Sequence, residues 1–224
     1  VADAPDAAAG LDHVAELLDA FLYPDADPKQ ARKRKLILNA ATELFIAYGY
    51  RKTTIDDVAG AAGVAKGTVY LYYRNKAELL LHAIALQKHQ YLNEMAPVFD
   101  TSVPAAERLR ALIVLSIRMS HEMPLLTRFT SGDQEFHQVL QEVDSATLQQ
   151  ITQTRIDFAA DLIDEATGHT WPRETLEKRA HVLMDLVFGV VHGGRLIREG
   201  MPLDDYAREL AFVVVDGLVS APRP

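Results

Sequence analysis

The chain of 224 residues contains no cysteine, which excludes disulfides and thiolate metal sites. Long apolar runs are missing as well. Stretches such as 111–117 and 210–215 fall far short of the ~20 residues a membrane-spanning helix needs, so no membrane partner is expected. The first residues are acidic and show no basic-then-apolar leader, which gives the expectation of a cytoplasmic protein. Catalytic signatures are equally scarce: there is no nucleophile elbow, phosphate loop or dinucleotide-binding glycine motif. His181 and Asp185 lie four residues apart with His192 further on, but the second glutamate of a zinc hydrolase helix is lacking. The expectation is therefore no enzyme, no cofactor and no bound metal. Alternating strand patterns, repeats and low-complexity linkers are also absent, which leaves an all-α chain. Its hydrophobic fraction of 49% is enough to build the cores of one or two domains.

What is present is concentrated in Thr53 to Lys76, TTIDDVAGAAGVAKGTVYLYYRNK. Ile55, Val58, Ala59 and Ala62 recur at the spacing of one apolar helix face. Gly63 sits where the chain must reverse, because glycine takes a left-handed conformation at no steric cost. Lys66 to Tyr73 then form a second helix with a polar, aromatic and basic face. This is a helix-turn-helix pattern, whose second helix usually enters a DNA major groove. Before it, Asp27-Pro28 marks a helix start. Leu36, Ile37, Ala40, Ala41, Leu44 and Phe45 line that helix, and Gly49 ends it. Thr54 with Asp57, and Asn75 with Glu78, read as capping pairs.

Charge is divided unevenly. Residues 29–76 hold ten Lys or Arg against three acids, a net of +7, so the remainder carries −15 of the total −8. A positive module on an acidic body docks phosphates at one end and repels them at the other. Residues 1–26 contain six acids and no Lys or Arg, and Asp27 adds a seventh acid. Leu11, Val14, Leu17, Leu18, Phe21 and Leu22 have helical spacing, and Pro24 ends the pattern. An amphipathic helix over about 10–22 is expected, as an accessory strut outside the DNA-reading part. The alternative is an acidic arm that competes with DNA near Arg32–Lys35. After Lys76, helices are expected over about 76–96, 104–121, 124–131, 133–166, 172–199 and 203–220.

The run LILNAATELFIAYGYRKTTIDDVAGAAGVAKGTVYLYYRNKAELL resembles the N-terminal domain of TetR-family transcriptional regulators over about residues 32–80. Beside the acidic extension (1–26), the resemblance implies a helix-turn-helix DNA-binding domain (27–76) and a larger helical domain for effector binding and dimerisation (77–224). It implies a sequence-specific regulator of transcription, a repressor by family habit, released from a palindromic double-stranded operator by a small molecule. Carried over by position, Thr53 and Thr54 face the phosphate backbone. Lys66, Gly67, Thr68 and Tyr70 lie on the recognition helix, and Tyr72 and Lys76 match positions that touch phosphates; the charge of the basic run adds Arg32 as a further expected DNA contact. Ala65 departs from the serine or threonine often found before that helix, and Tyr73 stands where phenylalanine is usual. The family's homodimer forms through the last two helices, which suits one stripe of Val182, Leu183, Leu186, Val187, Val190 and Val191 and another of Leu210, Phe212, Val213, Val214, Leu218 and Val219. An internal core is the competing role for those stripes.

A largely apolar effector pocket is expected among the middle helices. Met119, Phe129, Phe136, Arg155, Phe158, Met184, Phe188 and His192 are its candidate lining, although aromatics and methionines at helical spacing are more often plain core. The competing functional readings are a helical protein-interaction module that has lost DNA binding and a metal-dependent enzyme.

Overall fold

The computed structural model describes residues 7–24, 27–125, 139, 145–197 and 200–220. Among these are α1 (Ala7–Leu22), α2 (Pro28–Tyr48), α3 (Ile55–Ala62), α4 (Lys66–Tyr72), α5 (Lys76–Gln90) and α6 (Ala96–Phe99). They continue with α7 (Ala105–Glu122), α8 (Ser145–Thr167), α9 (Arg173–Ile197) and α10 (Leu203–Val219). No strand occurs among the described residues, as the all-α reading requires. The chain divides into two compact units. One comprises Asp12–Leu92 with Met123–Val143; the other comprises Val1–Leu11, Asn93–Glu122 and Asp144–Pro224.

The first unit is built on α2. Asp27 accepts from the Lys29 N–H at 2.9 Å, Pro28 occupies the first turn, and Gly49 closes the helix at φ 84°. Ile37, Leu38, Ala41 and Phe45 are wholly buried on one face of α2. They share a core with Val58 of α3, Val69 of α4 and Leu79, Leu80 and Ala83 of α5. A capping box fixes the start of α3: the Thr54 hydroxyl accepts from the Asp57 N–H, and the Asp57 carboxylate accepts from the Thr54 N–H. Those bonds to Thr54 also lower the Asp57 pKa. Gly63 ends α3 in the left-handed region at φ 67°. Asn75 caps α5 by accepting from the Glu78 N–H at 2.7 Å, but the Glu78 carboxylate turns to Arg74 rather than closing the box.

Two expectations change. The helix expected over 76–96 stops at Gln90, and a 3-10 turn, Leu92–Met95, follows it. Pro97 supplies the reason: it has no N–H to give the preceding turn, so the chain tightens and starts α6 with Pro97 in its first turn. The expected strut at the N-terminus is also more deeply embedded than its sequence suggested. Leu22 of α1 is fully buried within the same core as Val69 and Tyr73. Of the helix expected over 124–131 only Pro124 and Leu125 are described, both helical; the rest of it, and residues 133–144 apart from Val139, lie outside the described residues.

In the second unit α7 packs along α10, α8 and α9. Leu109, Ile113 and Ile117 of α7, Ile163 of α8, Ala180 of α9 and Val215 of α10 fill its core. The Arg108 guanidinium donates to the Val98 carbonyl at 3.0 Å and to Glu165 at 2.7 Å, joining α6, α7 and α8. Arg110 pairs with Asp216 and lies 5.3 Å from the Phe212 ring, joining α7 to α10. On α9 and α10, Val182, Leu186, Phe212, Val213 and Val219 remain exposed. No described helix is long and apolar enough to cross a membrane.

Nothing lies within 4 Å of a Cβ built at Gly63, so Gly63→Ala meets no steric obstacle beyond its positive φ. The expected cost is therefore that of a left-handed non-glycine residue, about 1–2 kcal/mol. A lower urea midpoint with unchanged helix content checks it.

Candidate nucleic-acid interface

The seven residues of α4 present one side to solvent and anchor the other. Val69 is wholly buried and Tyr73, which closes the helix, is 1% exposed. Tyr70 and Leu71 stand out at 49% and 82% exposure. Gly67 is exposed too and Thr68 half-buried. Ala65 supplies no side-chain cap, yet α4 forms, with the Thr68 N–H bonded to the Ala65 carbonyl at 2.8 Å. The Lys66 ammonium reaches back 2.7 Å to Asp56 on α3, and that carboxylate raises the lysine's pKa.

The other positions carried over from sequence separate into two groups. Arg32 and Thr54 are exposed, Arg32 beside the exposed Lys33 and Lys35. Thr53, Tyr72 and Lys76 serve the frame. Thr53 is 1% exposed, and its hydroxyl donates to the Leu44 and Gly49 carbonyls at 3.2 and 2.8 Å. The expected phosphate contact from that side chain is corrected: the hydroxyl ties the α2–α3 loop instead. The Lys76 ammonium donates to the Tyr50 and Thr53 carbonyls at 2.9 and 3.1 Å and sits 4.2 Å from the Tyr50 ring centroid. In this geometry it braces the same loop. The Tyr72 carbonyl accepts from the Arg34 guanidinium at 3.2 Å, and its ring lies 5.1 Å from that cation.

Sequence reasoning missed Arg34 and Leu71. Arg34 belongs to the basic run, but only its neighbours point outward; it is buried and holds the end of α4. Leu71 is a bulky apolar side chain on an otherwise polar helix face, and that mismatch was its signal. Gly67 carries a related signal, because it lies in a helix with ordinary φ and nothing within 4 Å of a Cβ built there. The fold alone does not require glycine at this position, and glycine costs a helix roughly 1 kcal/mol relative to alanine.

Of the candidate effector-lining residues, Met119 is buried and Phe158 packs on Phe99 with ring centroids 5.3 Å apart. One turn before Phe158, Arg155 donates to the Met184 sulfur at 3.8 Å. Crowding by the surrounding chain lowers the arginine's pKa by desolvation, although the side chain still reaches solvent. Phe129 and Phe136, and the side chains of Phe188 and His192, lie outside the described residues. Among the described residues no cluster of three His, Asp or Glu could hold a metal; His181 and Asp185 are both exposed.

Residues 37–83 match the model of bacterial regulatory proteins of the tetR family. The HTH-type transcriptional regulator YhgD of Bacillus subtilis is 32% identical over 190 residues, which cover 83% of this chain and 96% of that protein. The chain belongs to the TetR family. It is a DNA-binding transcriptional regulator, and the proteins it resembles are regulators rather than enzymes. This regulator is also 27% identical over 121 residues to a fatty acid metabolism regulator protein of Bacillus subtilis, covering 51% of this chain and 62% of that one. Among solved structures, the fatty acid degradation regulator of Bacillus halodurans superposes with a TM-score of 0.60. That match has 18% identity and covers 89% of this chain and all of that one. The regulator FadR of Bacillus subtilis, solved with stearoyl-CoA, superposes at 0.57 with 20% identity over 84% of this chain and 99% of that one. Both structures share the fold.

Gly67→Ala should raise the urea midpoint of the TetR-family unit, by up to about 1 kcal/mol of stability. It should also weaken duplex binding, because a methyl group then projects from the face that approaches DNA. Titration of a labelled duplex alongside the denaturation curve checks both signs. Lys76→Ala should lower stability by about 1–3 kcal/mol, the range for stripping a charged donor from buried carbonyls.

Proposed function

We propose that this regulator acts as a homodimeric repressor, released from a palindromic operator by a small, largely apolar effector. The observation carrying the DNA reading is α4 itself, anchored by Val69 and Tyr73 while Gly67, Tyr70 and Leu71 face outward. Lys66, Gly67, Thr68 and Tyr70 then meet base edges. Arg32 and Thr54 meet phosphates, which position the helix without specifying sequence. Two such helices bind successive major grooves when the dimer holds them about 34–36 Å apart. Occlusion of the operator follows from that placement alone.

The dimer reading rests on the apolar residues that α9 and α10 leave exposed. Val182 and Val213 are each 67% exposed, and Leu186, Phe212 and Val219 accompany them. Apolar rows on two consecutive helices of a charged protein are well suited to a second copy. Leu186→Glu with Val213→Glu should give monomers in sedimentation and lower operator affinity by at least tenfold. A double variant that stays dimeric would place the interface elsewhere.

For the effector, the reading is a fatty acyl thioester of coenzyme A. Its support is the set of apolar candidates Met119, Phe158 and Met184, with Arg155, bonded to Met184 and open to solvent, as a cation suited to an anion. The relationship to a fatty acid metabolism regulator points the same way. The ligand must bind the DNA-free conformation more tightly, since equal affinity for both states shifts nothing. Titrating stearoyl-CoA into the protein–operator complex should release DNA, and Arg155→Leu should raise the concentration needed about tenfold, the loss expected with a charged hydrogen bond. Release by free coenzyme A alone would sink the acyl part of the assignment.

A further inference from the structure

The core of the helix-turn-helix unit has a contributor from outside the motif. Leu22, at the end of α1, is buried in the cluster that holds Val69 and Tyr73. Beside it, Phe21 lies on the imidazole of His82, with ring centroids 4.2 Å apart and planes 13° apart. The same imidazole meets Tyr73 edge-on, at 5.1 Å and 76°. Tyr73 closes the recognition helix, its N–H bonded to the Val69 carbonyl at 3.0 Å. Arg34 lies 5.2 Å from the Tyr73 ring and donates to the Tyr72 carbonyl. A continuous stack therefore runs from α1 through α5 to the last turn of α4.

We propose that α1 is a working part of the DNA reader: its last turn, acting through Phe21 and His82, positions the recognition helix, and His82 makes that support sensitive to protons. This rests on the reading of α4 as the DNA-contacting helix. Phe21 and His82 are positioning residues, since neither lies on the exposed face of α4.

One imidazole nitrogen has its partner within α5 itself: Nδ1 stands 2.9 Å from the Glu78 carbonyl, which can only accept, so this nitrogen carries the hydrogen. Hydrogen bonding to the Phe21 backbone and to Glu78 favours a protonated ring, and so does the Glu78 charge. Burial is the largest influence, and it opposes the charge; the nearby Arg34 guanidinium opposes it too. The outcome is a pKa held below the ordinary histidine value of 6.5. The other titratable groups at this junction are Tyr73 of α4, Asp19 and Tyr23 around the end of α1, and His89 of α5. Asp19 lies 3.2 Å from His89, a pair that gains attraction when His89 is protonated. That pair is open to water and weak.

The sign follows from linkage. An unseated His82 takes up its proton near the ordinary value, whereas a seated one resists until lower pH. Support for α4 is thus complete above the ordinary histidine range and is lost as pH falls from there toward the seated value. Most DNA-binding proteins gain positive charge, and hence affinity, on acidification. A fall in affinity has the opposite sign and separates this device from that general effect.

The test uses the full chain and a duplex selected by it from a randomised library. Phe21→Ala should speed amide exchange at Tyr73 and weaken binding to the selected duplex by roughly two- to tenfold, the range for one lost aromatic pair, with helix content unchanged. At constant salt, wild-type affinity should drop between about pH 7.5 and about pH 5.5, which spans the histidine range. His82→Phe keeps an aromatic ring at the junction and removes the titration, so its affinity should stay level or rise over the same interval. Unchanged Tyr73 exchange in Phe21→Ala would overturn the positioning role. Identical pH profiles for wild type and His82→Phe would overturn the proton dependence. Faster exchange in a chain that selects no duplex would instead overturn the DNA reading of α4 and leave its support by α1 standing.

Discussion

A helix of seven residues cannot hold itself together in water. Nucleation is unfavourable, and too few hydrogen bonds follow it to compensate. α4 therefore exists only because Val69 and Tyr73 are gripped from below, and the rest of the helix-turn-helix unit can be understood as that grip. α2 supplies the floor through Ile37, Leu38, Ala41 and Phe45, and also Arg34, which holds the helix end through the Tyr72 carbonyl. Thr53 and Lys76 bind the carbonyls of the α2–α3 loop, fixing where α3 starts and hence where the turn at Gly63 delivers α4. Polar side chains thus supply part of this stiffness. The outer face of α4 is then left to Gly67, Thr68, Tyr70 and Leu71, which contribute little to the fold.

Charge is organised on a coarser scale. The +7 of residues 29–76 is carried by a segment within one compact unit, while the remainder of the chain is at −15. Arg32, Lys33 and Lys35 stay in solvent, where they attract phosphate over about a Debye length, roughly 8 Å at physiological salt. Arg34 leaves that set and becomes structural. One cation in a run of four thus changes role because the helical repeat turns it toward the core.

Local rules made much of this legible in the sequence. Asp27-Pro28, Thr54 with Asp57, Gly49 and Gly63 each encode a helix end within a few residues, and each stands where its chemistry requires. The apolar faces of α2 and α3 were readable for the same reason. Direction was harder to read: nothing in a linear motif says that Thr53 turns inward or that Lys76 reaches 23 residues back to a carbonyl. The end of α5 at Gln90 was obscured because the effect of Pro97 propagates upstream through a 3-10 turn. Docking of α1 was hidden for another reason. Its partners, His82 and Tyr73, are polar residues whose ring faces act as apolar surface.

The ion pair between Lys66 and Asp56 shows how little holds the first residue of α4 in place. The ammonium leans back 2.7 Å to a carboxylate on α3, yet more than half of each side chain stays in water. A pair so exposed is worth little and is screened by salt. Lys66 is therefore tethered loosely, and its ammonium can change partners at small cost.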